Sequence, residues 1–302
     1  MEYCDLRPAV DAYKNGRNVM ATLRELLGTS ANNDEIVEIA YDLQAGSYSA
    51  YVEQNRGYWS EYSQELATIL GRYIKPGERS LDVGTGELTT LSGVAPLAFA
   101  ENSAIFACDI SFSRIKVGHS FVRSHLETQL ADRVHPFVGN MFRLPFLDSS
   151  IDVVWTSHAL EPNGGSEELA VSELFRVAAN YLVLFEPSYE NNSDEGRARM
   201  DSLGYIKGLP EVIRKIGGEL IDIIPLGVVS NKLNPTHAFV CKKSSSNPAA
   251  DISNPWACPA TRFQMFDMGP HFFSPESRLA YPVIAGIPVL RAEQAVLAST
   301  LG

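Results

Sequence analysis

Residues 80–89 read SLDVGTGELT, and this order of residue types predicts a buried strand that runs through a glycine turn into a helix. Leu81 and Val83 are suited to a strand, while Gly84 and Gly86 permit backbone angles and close approaches that a side chain would obstruct. Such a turn places free N–H groups and the positive end of a helix dipole at the carboxyl edge of a sheet, where α/β proteins bind nucleotides. We therefore expect a nucleotide-like ligand at this turn.

The residues after the turn disfavour a phosphate ligand. A dinucleotide-binding turn has a third glycine near the pyrophosphate, whereas Glu87 and the three residues that follow it are not glycine. A P-loop needs Gly-Lys-Ser/Thr, and this turn has no lysine. A nucleoside-like ligand that lacks phosphate and carries a positive charge suits a turn bounded by Asp82 and Glu87. S-adenosyl-L-methionine is such a ligand.

At these residues the sequence resembles the class I S-adenosylmethionine-dependent methyltransferases, and among them the ubiquinone/menaquinone-type domain, whose first motif is a strand that ends in D-x-G-x-G. Three more of that family's motifs follow in order, at residues 104–111, 138–146 and 150–161. The ordered set is a more specific signal than the turn alone, because D-x-G-x-G also occurs in ordinary strand–turn–helix units.

The resemblance implies which residues bind the cofactor. Asp109, which ends the second strand, would hold both ribose hydroxyls, and a carboxylate is suited to this because it accepts two hydrogen bonds at once. Asn140 stands where the family has aspartate; its amide oxygen can still accept from the adenine amino group, so we expect weaker recognition there. The implied cofactor residues are Asp82, Gly84, Thr85, Gly86, Asp109, Ile110, Asn140, Met141 and Ser157.

Composition limits the class of protein and its partners. The chain has 302 residues, 45% hydrophobic and 20% charged, which suits a globular protein of about two domains. Its net charge of -11 provides no broad basic surface, so we expect no nucleic-acid partner. The N-terminus has acids where a signal peptide needs basic residues, and no apolar run approaches the roughly 20 residues of a membrane span. We expect a cytoplasmic protein without a membrane partner, and the sequence is compatible with a homo-oligomer.

Hydrophobic periodicity divides the chain into four parts. Residues 1–75 have helical spacing, and the resemblance to the methyltransferases implies that these helices form a lid over the site. Residues 76–243 alternate strand-like and helix-like runs, which predicts an α/β, Rossmann-like, seven-stranded and mostly parallel sheet with an antiparallel last strand. Residues 244–253 are a polar linker, and residues 254–302 are expected to form a small α+β module.

The C-terminal module resembles the small zinc-ribbon proteins that activate partner methyltransferases, in the segments WACP at 256–259 and LAYPVIAGIPVL at 279–290. The resemblance places the four zinc-ligand positions at Cys258, Thr261, Ser274 and Ser277. A single thiolate cannot hold structural zinc, which needs four nitrogen or sulfur ligands, so we expect a module without metal. The alternative is an ordinary hydrophobic hairpin that only stabilises the enzyme.

Methyl transfer is an in-line displacement, so the protein mainly aligns donor and acceptor, and only some acceptors need a base. His158 is the candidate base because it lies just after the fourth strand and titrates near neutrality; the alternative is that it caps the following turn. The candidate substrate residues are Tyr48, Tyr58 and Trp59 of the lid and Glu161 and Asn163 after the fourth strand. The three aromatic residues pack among the lid helices in the alternative interpretation.

The resemblance and the acidic charge together predict O- or N-methylation of a small molecule without a metal. One alternative is methylation of a protein or RNA, because relatives of the C-terminal module serve enzymes that act on macromolecules. A second is a catalytically silent S-adenosylmethionine-binding regulator, which Asn140 and the missing zinc ligands leave open. A nicotinamide dehydrogenase is disfavoured by Glu87 and by the missing third glycine.

Overall fold

The computed structural model describes residues 5–30, 32–99, 103–243 and 253–301. Five helices precede the sheet, as the sequence predicted: α1 Arg7–Lys14, α2 Val19–Leu27, α3 Asp34–Asp42, α4 Ser47–Gln54 and α5 Arg56–Leu70. Two of them begin at asparagine caps, where Asn18 accepts a hydrogen bond from the N–H of Ala21 and Asn33 accepts one from the N–H of Ile36. The predicted linker lies outside the described residues, apart from Ser253.

The central sheet has the predicted seven strands: β1 Ser80–Val83, β2 Ile105–Asp109, β3 Val134–Val138, β4 Ile151–Ser157, β5 Ala178–Pro187, β6 Glu219–Pro225 and β7 Thr236–Lys242. Their order is β3-β2-β1-β4-β5-β7-β6, and β7 is antiparallel to both of its neighbours. The reversal follows from the connection between β6 and β7, because a loop without a crossover helix returns the chain in the opposite direction.

Six helices accompany the strands: α6 Thr89–Ala98, α7 Phe112–His125, α8 Thr128–Ala131, α9 Glu167–Val177, α10 Asp194–Leu203 and α11 Leu209–Lys215. They cover a sheet that is buried on both faces, so successive residues of β4 enter different apolar clusters, Val153 and Trp155 on one side and Val154 on the other. Among the described residues, no helix combines the length and apolar character that crossing a bilayer requires.

The C-terminal part is a second, antiparallel sheet. Its strands are β8 Phe266–Asp267, β9 His271–Ser274, β10 Leu279–Ile284, β11 Ile287–Pro288 and β12 Val296–Leu297. The α+β character that we expected is limited to a 3₁₀ turn at Ala292–Gln294 within the described residues of this module. Gly269 and Gly286, both with positive φ, form the turns between β8 and β9 and between β10 and β11.

This small sheet packs directly on the edge of the large one. The Leu290 N–H donates to the Val138 carbonyl at the end of β3 over 2.8 Å, and Val138 pairs in parallel with Val289. Trp256 stacks on Phe146 with ring centroids 4.7 Å apart. The C-terminal module therefore shares a hydrophobic core with the central sheet.

Candidate active site

The glycine turn after β1 is held by the neighbouring strand. Gly84 and Gly86 have φ of +74° and +57°, and a Cβ on Gly84 would lie 2.2 Å from the Cβ of Ala159. The N–H groups of Gly84 and Thr85 both donate to the carbonyl of Cys108, over 2.7 and 2.9 Å. Only glycine at residue 84 satisfies both the backbone angle and the close approach.

Asp82 lies behind this turn. It is buried and accepts a 2.6 Å hydrogen bond from the Thr85 hydroxyl. Burial raises the pKa of Asp82 to about 7, against the lowering effect of that hydrogen bond. Asp82 thus fixes the turn from its inner side.

Asp109, at the end of β2, joins the turn to the next helix. One carboxylate oxygen accepts from the N–H of Gly86 and the other from the N–H of Ser111, each over 2.9 Å. The Arg114 guanidinium lies 4.0 Å away. Each oxygen keeps a lone pair, so Asp109 can still accept from a vicinal diol.

Arg114 connects α7 to the lid, and nothing in the sequence had singled it out. Its guanidinium carbon lies 4.9 Å from the ring centre of Tyr41 and 4.6 Å from that of Tyr48. The side chain is only 10% exposed. Cation–π contacts of this kind hold α3 and α4 against the sheet domain.

Two carboxylates reinforce this contact. Glu87 accepts hydrogen bonds from the N–H groups of Gly46, Tyr48 and Ser49, at the start of α4. Conversely, Asp42 of lid helix α3 accepts a hydrogen bond from the N–H of Ser113, at the start of α7 of the sheet domain. The sequence had placed Glu87 beside a cationic ligand; it lines the cavity, but it also caps a lid helix.

These elements enclose a first cavity of about 130 Å³. It brings together most of the predicted cofactor residues and part of the predicted substrate set, namely Gly84, Thr85, Asp109, Ile110, Asn140, Met141, Ser157, His158, Tyr48, Glu161 and Asn163. Asp82 and Gly86 are not among the described residues that line it. Asp82 instead bonds the Thr85 hydroxyl, and the Gly86 N–H bonds Asp109.

Asn140 is engaged differently from the sequence expectation. Its side-chain oxygen accepts a 2.9 Å hydrogen bond from the Phe142 N–H, and its amide nitrogen donates to Asp34. Asp34 is the first residue of α3 and also lines the cavity. The lid thus brings a carboxylate to residue 140, where the family motif would have its own.

His158 follows β4 in a left-handed backbone conformation, with φ of +54°. Its Nδ1 lies 3.0 Å from Glu161 Oε2, and its Nε2 lies 3.1 Å from the Thr236 hydroxyl. Burial acts to lower the pKa of His158, but the hydrogen bond and the charge of Glu161 outweigh it and raise the pKa above its usual value. With Nδ1–H directed at Glu161, Nε2 is the proton-accepting atom, and a bound molecule would reach it by displacing the Thr236 hydroxyl or through that hydroxyl; Glu161 would then stabilise the imidazolium.

Glu186, at the end of β5, holds the loop that carries His158. One oxygen accepts from the Thr156 hydroxyl over 2.7 Å and from the N–H groups of Ala159 and Leu160 over 3.0 and 3.1 Å. The residue is fully buried, and burial raises its pKa to about 7. Glu186 therefore supports the turn after β4, and it does not appear among the described residues that line either cavity.

A second cavity, of about 580 Å³, lies beside the first. Its walls are rich in aromatic side chains: Tyr48, Tyr51, Tyr58, Trp59, Tyr62 and Tyr205. Tyr58 and Trp59, predicted for the substrate, lie here and not in the first cavity. The Tyr62 hydroxyl bonds the Ser157 hydroxyl over 2.9 Å, which ties α5 to the end of β4.

The described residues contain no group of three or more His, Cys, Asp or Glu side chains arranged to hold a metal ion. In the C-terminal module, Cys258 Sγ lies 3.1 Å from the Tyr281 hydroxyl and 3.7 Å from that of Ser277. Thr261 also hydrogen-bonds the Cys258 thiol, so three of the four predicted ligand positions, Cys258, Thr261 and Ser277, meet as a hydrogen-bonded cluster.

Comparison with known proteins identifies the central part of the chain. Residues 81–181 match the family model described as a methyltransferase domain. This segment is a class I S-adenosylmethionine-dependent methyltransferase domain. S-adenosyl-L-methionine is accordingly its cofactor, and the narrower ubiquinone/menaquinone-type resemblance stays a prediction.

The chain is also similar to a curated enzyme in sequence and to a solved structure in fold. Over 105 residues the chain is 29% identical to a sarcosine/dimethylglycine N-methyltransferase of Aphanothece halophytica, a match that covers 32% of this chain and only 38% of that enzyme. The methyltransferase fold also recurs in a solved complex between the Haloferax volcanii Trm112 methyltransferase activator and a putative methyltransferase. That similarity has a TM-score of 0.51 and 17% identity, and covers 67% of this chain and 97% of the matched one.

The chemistry of the residues present fits this cofactor, while the 130 Å³ of the first cavity is below the range of roughly 300–1,000 Å³ for small-molecule sites, so the lid must move outward to admit it. Asp109 reaches the first cavity with lone pairs that remain free for a diol, and Asp34 offers an acceptor for an amino group. Met141 and Ile110 provide apolar surface in the same cavity. These acceptors and apolar side chains together suit a nucleoside that carries no phosphate.

Proposed function

We propose that this chain transfers a methyl group from S-adenosyl-L-methionine to a small molecule by N- or O-methylation. The observation that carries the proposal is the wall common to the two cavities, which consists of Tyr48, Thr89, Thr90, Ser157, His158 and Glu161. A donor in the first cavity and an acceptor in the second would meet at this wall, and alignment of the two is the main requirement of the reaction. The similarity to an N-methyltransferase of small amines supports the same acceptor class.

The cofactor would be held by Asp109 at its ribose and by Asp34 and Asn140 at its base. It supplies an activated methyl group: the lone pair of the acceptor forms the new bond to carbon, and the pair of the broken carbon–sulfur bond stays on sulfur. Tyr41 and Tyr48 line the lid side of this cavity and would shield the reacting atoms from water.

His158 would receive the proton that the acceptor loses. Glu161 holds Nδ1 of the ring, which orients the imidazole and stabilises its charged form, as in other base–carboxylate pairs. The position of His158 in the wall of both cavities supports this role over a purely structural one.

The test is to incubate the protein with methyl-labelled S-adenosylmethionine and cell extract, and to separate small molecules from macromolecules. Label in the small-molecule fraction is the expected result. Label in protein or RNA would contradict the proposal in favour of a macromolecular substrate. Cofactor binding by calorimetry without any transfer would instead indicate a silent regulatory protein.

We also propose that residues 254–302 act as a metal-free, activator-like module for this site. Two contacts support it: Leu290 bonds Val138, next to the cavity residue Asn140, and Arg291 pairs with Glu38 of lid helix α3. The Arg291 side chain is only 4% exposed. The module thus touches both the base-binding segment and the lid.

Replacing Arg291 tests this coupling. Arg291→Met leaves Glu38 partly buried without its partner, so we expect cofactor binding to weaken by roughly fivefold or more, with an unchanged far-UV spectrum. Arg278→Met, at an exposed arginine of the same module, is the matched control. Equal cofactor affinity in the Arg291 variant and in the control would argue for a module that only stabilises the fold.

A further inference from the structure

Arg199 of α10 stands out in the second cavity. It is the one arginine or lysine among the described residues that line this cavity. Its guanidinium carbon lies 5.6 Å from the ring centre of Tyr205. Within the described parts of the chain, it forms no ion pair, and its Nη1 is buried without a hydrogen-bond partner. A buried donor of this kind costs free energy unless a ligand satisfies it.

A second orphaned atom lies in the same cavity and has the opposite character. Asn234 Oδ1 is buried and lacks a partner among the described residues, while Asn234 Nδ2 donates to Glu161 over 3.2 Å. Glu161 is also the partner of His158. Asn234 Oδ1 therefore lies beside Glu161 and His158, where methyl transfer is proposed. An N–H or O–H group of the ligand would satisfy it.

The charges limit what an occupant can carry. Arg199 is the one arginine or lysine of the lining, so its charge balances a single negative charge, and its planar guanidinium can pair with a carboxylate through two hydrogen bonds. Glu161 and the Asn234 oxygen line the same cavity and would repel a second anionic group. The tyrosines and Trp59 of its walls favour an apolar or aromatic body, and the cavity volume is in the range of small organic ligands.

We infer that the methyl acceptor is an amino or hydroxy carboxylic acid, bound with its carboxylate on Arg199 and its N–H or O–H nucleophile beside Asn234, Glu161 and His158. This inference rests on the proposed methyl transfer and specifies its substrate class. Arg199 is the specificity-determining residue, because it pairs with the charge that separates these acids from their neutral analogues.

The test compares acids with their own neutral derivatives. Phenylalanine with phenylalaninamide, sarcosine with sarcosinamide, and 4-hydroxybenzoate with its methyl ester are titrated into the protein with S-adenosylhomocysteine present, with calorimetry as the readout. At least one acid should bind about tenfold or more tightly than its neutral partner. Arg199→Gln should abolish that preference by weakening the acid alone, and Arg199→Lys should retain part of it.

Arg197→Gln is the matched control, because Arg197 is on the same helix but pairs with Asp194 and does not appear among the described residues that line the cavity. It should keep the preference for the acid. If no acid in the panel binds better than its neutral partner, or if the preference survives Arg199→Gln, the inference is wrong. Since binding is measured without turnover, a failure of methyl transfer would be seen separately, as bound acid that never becomes methylated.

Discussion

The two cavities of this protein differ in how their polar groups are satisfied. In the first, Asp109, Asn140 and Glu87 are all bonded to the protein itself, and Arg114 Nε is the one buried polar side-chain atom of its described lining residues that lacks a partner. In the second, Arg199 and Asn234 carry buried atoms that lack partners among the described residues. Buried polar atoms without a partner cost free energy unless a ligand bonds them, so the second cavity, which has both an unsatisfied donor and an unsatisfied acceptor, constrains its ligand at two points. We therefore expect the first cavity to bind the cofactor and the second to select the methyl acceptor.

The largest expected effect separates chemistry from binding. His158→Ala should lower turnover by about 10²- to 10⁴-fold, the usual contribution of a general base, and leave cofactor affinity nearly unchanged. Rates and calorimetric affinities are measured on the same preparations. The control is His119→Ala, at an exposed histidine of α7. A parallel loss of turnover and affinity would assign His158 a structural role.

The second-largest effect should be a loss of cofactor affinity in the first cavity. Asp109→Ala removes the acceptor for the ribose hydroxyls and should weaken cofactor binding by about 2 kcal/mol, or roughly 30-fold. It also frees the N–H groups of Gly86 and Ser111, so the melting temperature should fall. Asp109→Asn keeps one acceptor and should lose less. An unchanged affinity in the alanine variant would remove Asp109 from the cofactor site.

A smaller effect concerns Glu186, which holds the loop that carries His158. Because burial raises the pKa of Glu186 to about 7 from a usual 4.5, the folded protein keeps this proton where the unfolded chain has released it. Stability should therefore fall as pH rises through this interval, by up to about 1.4 kcal/mol per pH unit. Glu186→Gln cannot titrate and should make this dependence shallower in urea unfolding followed at several pH values, while Asp82, whose pKa burial also raises to about 7, keeps its own contribution. An equally steep fall in the variant would show that other groups cause it, and Glu127→Gln, at an exposed site, serves as the control.

The sequence predicted the first cavity better than the second, for a physical reason. Gly84, Asp109 and Ser157 stand at the ends of parallel strands, and such ends meet at one edge of a sheet whatever the loops do. Asp34 and Arg114 could not be predicted, because their roles depend on how the lid docks.

Arg199 illustrates what sequence alone leaves open. Helix α10 carries arginines at residues 197 and 199, and no motif separates the one that pairs with Asp194 from the one that faces the second cavity. Asn234 lies in the loop before β7, where periodicity gives no guidance. Tyr58 and Trp59 were recognisable only as an excess of aromatic residues over what packing requires.

The most direct test of the two-cavity account is a crystal structure of the protein with S-adenosylhomocysteine. The account predicts the ribose on Asp109, the base beside Asn140 and Asp34, and the sulfur directed at the wall formed by Ser157, His158 and Glu161. A ligand bound elsewhere, or one whose sulfur points away from His158 and the second cavity, would contradict it.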